Sequence, residues 1–344
     1  SIDYGKLGLE LEKYTEVIEA MKDFTKRFPD HEEIQTANGL LSESYLNTKD
    51  YNSAIKHIES IKGNKNNTVT KAYQHVTFYR GVELFNEENY KEAITMFEKS
   101  TQNDVDRDFN FLATFWLAEA LSAVERYTDA IPNYVKVNKS SSRVPKEIAA
   151  RNNYGLGYAY YNTRDYAKAL GEFREYSQEA KYVNSKEMEC DAWLRLGDCY
   201  LATKKFNEAA IAYDKAILIN CAAPDYAYLQ KGLALGLTNK KEEEAKSTFR
   251  KLIEKYPGSP YYYDALYNLG LIDFENTKYE ASIPVFSRII NDNKSQTYVP
   301  LALQKRAIAY NNIKDYEKSA EDYKTILNTY NTSKVAGSAV MGLQ

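Results

Sequence analysis

Trp193-Leu194-Arg195-Leu196-Gly197-Asp198-Cys199-Tyr200, joined through Leu201-Ala202-Thr203-Lys204-Lys205 to Phe206-Asn207-Glu208-Ala209-Ala210-Ile211-Ala212-Tyr213-Asp214-Lys215-Ala216, is the most informative stretch of this chain. Trp193, Leu196, Gly197 and Tyr200 stand at i, i+3, i+4 and i+7, so they share one face of a helix. Phe206, Ala209, Tyr213 and Ala216 mark one face of a second helix in the same way. The short link Ala202-Thr203-Lys204-Lys205 makes the two helices antiparallel neighbours. A bulky side chain on one helix needs a hole on the other, and the small residues at Gly197 and Ala209 supply it and let two backbones approach. Leu at either position is expected to overpack the contact by about 1–3 kcal/mol.

The same register runs along the whole chain. A small residue followed by another twelve positions later recurs nine times, with first members Gly5, Ser42, Gly81, Ala118, Gly157, Gly197, Gly232, Gly270 and Ala307. The second members are Val17, Ala54, Ala93, Ala130, Ala169, Ala209, Ala245, Ser282 and Ser319; only the seventh pair is thirteen apart, and only Val17 is not small. Three residues ahead of the second member comes an aromatic: Tyr14, Tyr51, Tyr90, Tyr127, Tyr166, Phe206, Tyr279 and Tyr316, with Glu242 breaking the series. Second members repeat every 36 to 40 residues, the length of a helical hairpin with its connections. A period of that size means a stacked array, an all-α solenoid of antiparallel helix pairs with about nine repeats. Trp193-x2-Leu196-Gly197-x2-Tyr200 with Ala209-x3-Tyr213 resembles the tetratricopeptide repeat signature. Leu156-Gly157-x2-Tyr160 with Ala169-x3-Phe173, and Leu266-x2-Leu269-Gly270 with Ser282-x3-Phe286, resemble it more loosely. The resemblance implies a superhelix, but these repeats exceed the family's usual length. The surplus falls mainly between hairpins, as in Gly63-Asn64-Lys65-Asn66-Asn67-Thr68 and Lys139-Ser140-Ser141-Ser142-Arg143, so a regular superhelix is not assumed.

The expected division is a single solenoid over residues 1–344, with repeats at 1–30, 31–66, 72–105, 109–143, 146–184, 187–221, 225–258, 261–295 and 299–332, and the start of a further helix at 333–344. Pro145, Pro224, Pro260 and Pro300 each stand just ahead of a first helix, where the missing N–H costs nothing. Ser259 reads as an N-cap. Pro132 and Pro284 fall inside second helices, where slight bends are expected. Both ends read as cut, so a segment of a longer protein is expected and the lack of a leader carries no weight.

Composition suits a folded chain: 44% hydrophobic and 27% charged residues exclude the disordered class. A net charge of −3 gives no broad basic field, which disfavours nucleic acid. No apolar run is long enough to cross a bilayer. The 31 tyrosines are the outlier, and repeat packing accounts for much of the excess. No phosphate-binding loop, H-E-x-x-H or G-x-S-x-G occurs, so no enzyme activity and no cofactor is expected. His31, His57 and His75 never fall three or four apart and read as surface residues. Cys190 and Cys199 point to opposite sides of one helix, Cys221 lies in the next connection, and all three read as packing thiols. An odd number disfavours a disulfide framework. Asp104, Asp106 and Asp108 imitate the start of a calcium loop, but Phe109 and Phe115 stand where Gly and Glu are needed. Acids favouring a helix N-terminus explain them better, and no metal is expected.

What remains is a surface. By similarity to the repeat family, the stripe beside the packing face of each first helix lines a concave groove where peptides dock. In repeat five that stripe carries Arg151, Tyr154, Tyr158 and Tyr161; in repeat six it carries Asp191, Leu194 and Asp198, with Arg195 alongside. Flanking repeats add Phe78, Phe85, Phe115, Trp116, Tyr226, Tyr267 and Phe274. Aromatics there would anchor a partner and charges would fix its register. The competing reading buries the same rings between repeats. Clamps for acidic chaperone tails use Lys, Asn and Arg on this stripe; Tyr154, Tyr158, Arg195 and Asp198 occupy those places, so that adaptor class is rejected. Tyr256-Pro257-Gly258-Ser259-Pro260-Tyr261 leading into Ala265-Leu266-Tyr267-Asn268-Leu269-Gly270 resembles bacterial envelope repeat proteins of the outer-membrane assembly lipoprotein type, with Phe28-Pro29-Asp30 as a worn copy. The expectation is a non-catalytic scaffold for protein or peptide partners, bacterial and periplasmic or envelope-associated. The alternative is a substrate-recruiting arm of a larger enzyme, and self-association through uncapped ends is a third possibility.

Overall fold

The structure, a computed structural model, describes residues 2–139, 144–222 and 224–343. Among them are nineteen α-helices and no strand, an all-α solenoid of antiparallel helix pairs. The chain forms two compact units, Ser1–Val183 and Asn184–Gln344. In the first, hairpins pair α1 (Ile2–Glu10) with α2 (Tyr14–Arg27), α3 (Ile34–Asn47) with α4 (Tyr51–Ser60), α5 (Asn67–Asn86) with α6 (Tyr90–Thr101), α7 (Arg107–Ala123) with α8 (Tyr127–Lys139), and α9 (Lys146–Asn162) with α10 (Tyr166–Glu179). In the second, α11 (Lys186–Ala202) pairs with α12 (Phe206–Ile219), α13 (Pro224–Gly236) with α14 (Glu242–Lys255), α15 (Tyr262–Glu275) with α16 (Tyr279–Asp292), and α17 (Tyr298–Asn312) with α18 (Tyr316–Thr329), before α19 (Ala336–Gly342).

The small residues do what their spacing requires. A Cβ added at Gly197 would lie 2.5 Å from the Tyr213 ring, inside any tolerable contact, so only hydrogen fits there. Gly81 faces Phe97, Gly157 faces Phe173, Gly232 faces Phe249 and Gly270 faces Phe286 at similarly short range. A large ring sixteen residues downstream therefore fills each notch, and seventeen in the hairpin whose small pair is thirteen apart. These rings form the cores: Phe97 and Tyr134 in the first unit and Tyr213, Phe249 and Phe286 in the second are at most 1% exposed.

Where a repeat carries the aromatic, it is the first residue of the second helix, as at Tyr51, Tyr166 and Phe206; in α14 Glu242 takes that place. Just ahead of it, Asp50, Asp165 and Asp315 cap their helices by accepting the backbone N–H of Ser53, Lys168 and Lys318. The turn before each cap holds one left-handed residue, and none of the nine is glycine: Glu12, Lys49, Glu88, Glu125, Arg164, Lys204, Lys240, Thr277 and Lys314. At Lys204 two bonds close the first helix, Lys204 N–H to Leu201 C=O at 2.9 Å and Lys205 N–H to Tyr200 C=O at 2.8 Å.

Two helix starts differ from expectation. Ser259 is not the N-cap of α15; that helix begins at Tyr262, and Ser259 Oγ instead accepts from Tyr261 N at 3.0 Å and donates to Asp225 at 2.7 Å. Pro300 lies inside the first turn of α17 rather than ahead of it. Of the joint expected at Lys139-Ser140-Ser141-Ser142-Arg143, residues 140–143 lie outside the described residues.

Candidate functional site

In the first unit, Tyr154, Tyr158 and Tyr161 project from α9 as a strip of phenol rings. Tyr154 and Tyr158 have ring centroids 5.0 Å apart, and Tyr158 and Tyr161 6.4 Å apart. Spacing of three and four residues on one helix puts them in line. All three are half-buried because α10 supports them: Tyr154 lies 5.1 Å from Tyr176, Tyr158 5.5 Å from Phe173, and Tyr161 5.6 Å from Tyr166. Arg151, one turn before Tyr154, pairs with Glu147 at 3.1 Å. Trp116 is half-buried against Phe85, Phe97 and Phe115. Phe78 and Phe115, read from sequence as flanks of the groove, are core residues at 7% and 2% exposure.

The second unit uses the corresponding stripe differently. Arg195 Nη1 meets Asp198 Oδ2 at 2.5 Å and its Nε reaches Asp191 at 3.4 Å. Asp198 Oδ1 accepts the hydroxyls of Tyr213 at 2.7 Å and Tyr226 at 2.8 Å. One carboxylate thus joins α11, α12 and α13. The four residues Asp191, Arg195, Asp198 and Tyr226 come together, held by charge-assisted bonds. Tyr267 stands apart from them, half-buried between Phe286 at 5.8 Å and Tyr298 at 5.5 Å, and burial raises its hydroxyl pKa, with Glu275 adding to the effect. Phe274 lies under Lys305 Nζ, 4.7 Å from its centroid.

Beside this node a cleft of about 450 Å³ opens on α11, lined by Lys186, Glu187, Cys190, Asp191, Leu194, Arg195 and the connection Asn220–Ala222. Its floor is apolar at Leu194, with Asp191 and Arg195 supplying opposite charges. Cys190 and Cys221 in its wall are bonded to one another, with Cα atoms 5.5 Å apart. This corrects the reading of all three cysteines as packing thiols. In an antiparallel hairpin the start of the first helix and the end of the second are neighbours, so a cysteine near each end is a disulfide signal that a search for metal spacing passes over. Cys199 is the free thiol, buried, with its pKa pushed up to about 12 chiefly by desolvation.

The histidines also differ from their sequence reading. His31 is exposed, but His57 and His75 are half-buried. His75 stacks on Phe109 at 3.7 Å and its Nε2 lies 3.1 Å from Asp106. Burial lowers the pKa of both, outweighing the Asp106 carboxylate at His75 and reinforced by Lys22 at His57. Asp106 caps α7, accepting from the N–H groups of Asp108 and Phe109, which is the role expected of the acids there. Among the described residues no group of three metal-ligating side chains forms, and no helix is long and apolar enough to cross a membrane.

Residues 190–222 and 226–259 each match a family model described as tetratricopeptide repeat. The Bacillus subtilis (strain 168) protein named response regulator aspartate phosphatase E is 23% identical over 338 residues, covering 93% of this chain and 87% of its own length. Among solved structures, the apo form of RapI is similar with a TM-score of 0.47 at 15% identity, covering 95% of this chain and 98% of that one. MamA gives a TM-score of 0.44 at 23% identity, covering 54% of this chain and 92% of its own.

Proposed function

We propose that this chain, which is built of tetratricopeptide repeats, is a non-catalytic scaffold that holds protein or peptide partners on the faces of its first helices. The observation that carries this reading is the cleft on α11: an apolar floor at Leu194 between Asp191 and Arg195 suits an apolar anchor side chain flanked by charges of both signs. The tyrosine strip Tyr154, Tyr158 and Tyr161 offers a second surface of large, stiff, amphipathic rings, with Trp116, Tyr226 and Tyr267 as further candidate anchors. A disulfide in the wall of the cleft supports an oxidising setting, in keeping with a periplasmic or envelope-associated bacterial protein.

The test is affinity capture from lysate of the source organism with three baits: the parent, Leu194→Ala with Arg195→Ala, and Tyr154→Ala with Tyr158→Ala and Tyr161→Ala, each checked for folding by circular dichroism. A partner held by the parent and lost by one folded variant assigns the surface. Equal capture by all three sinks the reading.

A second reading rests on the 23% identity along 93% of the chain to a protein named as a response regulator aspartate phosphatase. In it the partner is a phosphorylated response regulator. Phosphate release from such a regulator, accelerated by this chain, would favour that reading over a passive scaffold.

A further inference from the structure

We infer that the Cys190–Cys221 disulfide is a redox latch on the α11 cleft, an inference that rests on the proposed role of that cleft in binding. Cys190 stands on α11 directly before Asp191 and one turn before Leu194, so one end of the bond is on the floor of the cleft. Cys221 stands in the connection Asn220–Ala222, which forms the opposing wall. Asn220 ends α12 in a left-handed conformation at φ 60°, which turns the chain sharply into that wall. Among the described residues no side-chain hydrogen bond or ion pair ties Asn220, Cys221 or Ala222 to α11. The next connection is built otherwise: Ser259 bonds to Asp225 and the Tyr256 ring lies 6.0 Å from Tyr228. The wall of the cleft is therefore tied to α11 covalently, on top of the packing of Cys221 in the core, where its neighbour is held by ordinary contacts alone.

Both cysteines line the cleft, at 7% and 5% exposure, so the cleft is the side from which a thiolate approaches the bond. The reductant is a dithiol. Its thiolate attacks one cysteine sulfur, the S–S bond breaks and a mixed disulfide forms; its second thiol then displaces the cysteine. The reductant leaves as a disulfide, and two electrons and two protons remain on Cys190 and Cys221 as thiols. Cys199 takes no part, being fully buried, outside the lining of the cleft and kept protonated by its raised pKa. With the bond open, the connection loses its covalent tie to α11 and the wall of the cleft is free to move.

Hydrogen exchange read by mass spectrometry tests this on the full chain as oxidised, after tris(2-carboxyethyl)phosphine, and as the Cys190→Ser/Cys221→Ser double variant. In the reduced protein and the variant, exchange over residues 213–222 and 186–191 should quicken roughly tenfold, while α13 to α18 keep their protection. Iodoacetamide should label two cysteines in the reduced native protein and spare Cys199. Unchanged exchange in those segments, with both cysteines labelled, overturns the latch. Loss of protection throughout residues 184–343 also overturns it, because the bond is then a staple for the whole unit. No partner enters this experiment, so it fails or succeeds separately from the binding reading. If that reading holds as well, the partner captured by the parent is lost on reduction.

Discussion

All three histidines of the chain lie in the unit Ser1–Val183 and all three cysteines in Asn184–Gln344. The candidate surfaces divide in the same place. The first unit offers a strip of tyrosines leaning on other aromatic rings, and the second a carboxylate node beside a disulfide-walled cleft. Ring packing is a sum of many small dispersion contacts, so losing one ring leaves its neighbours nearly as they were. A node with one carboxylate at its centre is different, because removing it takes a shared acceptor from three donors at once. The same repeat architecture thus carries one surface that tolerates substitution and one that fails as a whole.

The largest expected effect tests that contrast directly. Asp198→Ala leaves Arg195, Tyr213 and Tyr226 without their shared acceptor and should cost about 2–4 kcal/mol in urea denaturation, discounted from the full buried-pair penalty because Arg195 keeps some access to water. Tyr158→Ala removes one half-buried ring and should cost about 1–2 kcal/mol. Double variants sharpen the comparison. Asp198→Ala with Tyr226→Phe should cost little more than Asp198→Ala alone, whereas Tyr154→Ala with Tyr158→Ala should cost clearly more than either single change, short of their sum only by the one contact the two rings share. Equal behaviour of the two pairs would erase the distinction between strip and node.

A smaller effect of opposite sign is expected at the turns. Lys204 holds a left-handed conformation at φ 59°, which costs a side chain with a Cβ and costs glycine nothing. Lys204→Gly should raise stability by about 0.5–1 kcal/mol, the relief being partly offset by the greater freedom of glycine in the unfolded chain. A loss of stability would mean that the lysine side chain makes a contact worth more than the strain.

The turns also show what could and could not be read from the chain. The hairpins were legible because a notch and the ring that fills it are both side-chain identities, as at Gly197 and Tyr213, and identities are what a sequence records. The left-handed turns were not, because Lys, Glu, Arg and Thr have no preference for that conformation and adopt it only because the helix pair on either side imposes it. The node is half legible: the stripe carries Asp191, Arg195 and Asp198 and the next repeat Tyr226, but the bond from Tyr213 is hidden behind that ring's packing role. It does both, with its ring in the Gly197 notch and its hydroxyl on Asp198. Phe78 and Phe115 were misplaced because period alone does not say how far a helix rotates its stripe toward the next repeat. The disulfide is visible only where two facts are combined, the antiparallel hairpin and a cysteine near each of its open ends.

The smallest effect distinguishes the two units by acid. Burial holds the imidazoles of His57 and His75 below their ordinary pKa, so in mild acid the folded first unit binds fewer protons than its unfolded chain. Stability from the neutral imidazoles is complete above the unfolded histidine value of about 6.5 and is lost as pH falls through the folded values. Two carboxyls in the same unit act in the opposite sense. Burial raises Glu119 and Glu172, so the folded state gains protons there as pH falls and is stabilised by them. The wild-type pH profile mixes these contributions, and the difference between wild type and His57→Gln isolates one of them. Denaturation followed at about pH 7.5 and about pH 5 should show the first unit of the variant losing less stability than that of the parent. The second unit has no histidine to titrate, so its response across this interval should be the same in both proteins. A variant whose first unit is as acid-sensitive as the parent would move the sensitivity to His75, whose ring is held between Phe109 and Asp106. His75→Gln would then be the variant that flattens the profile.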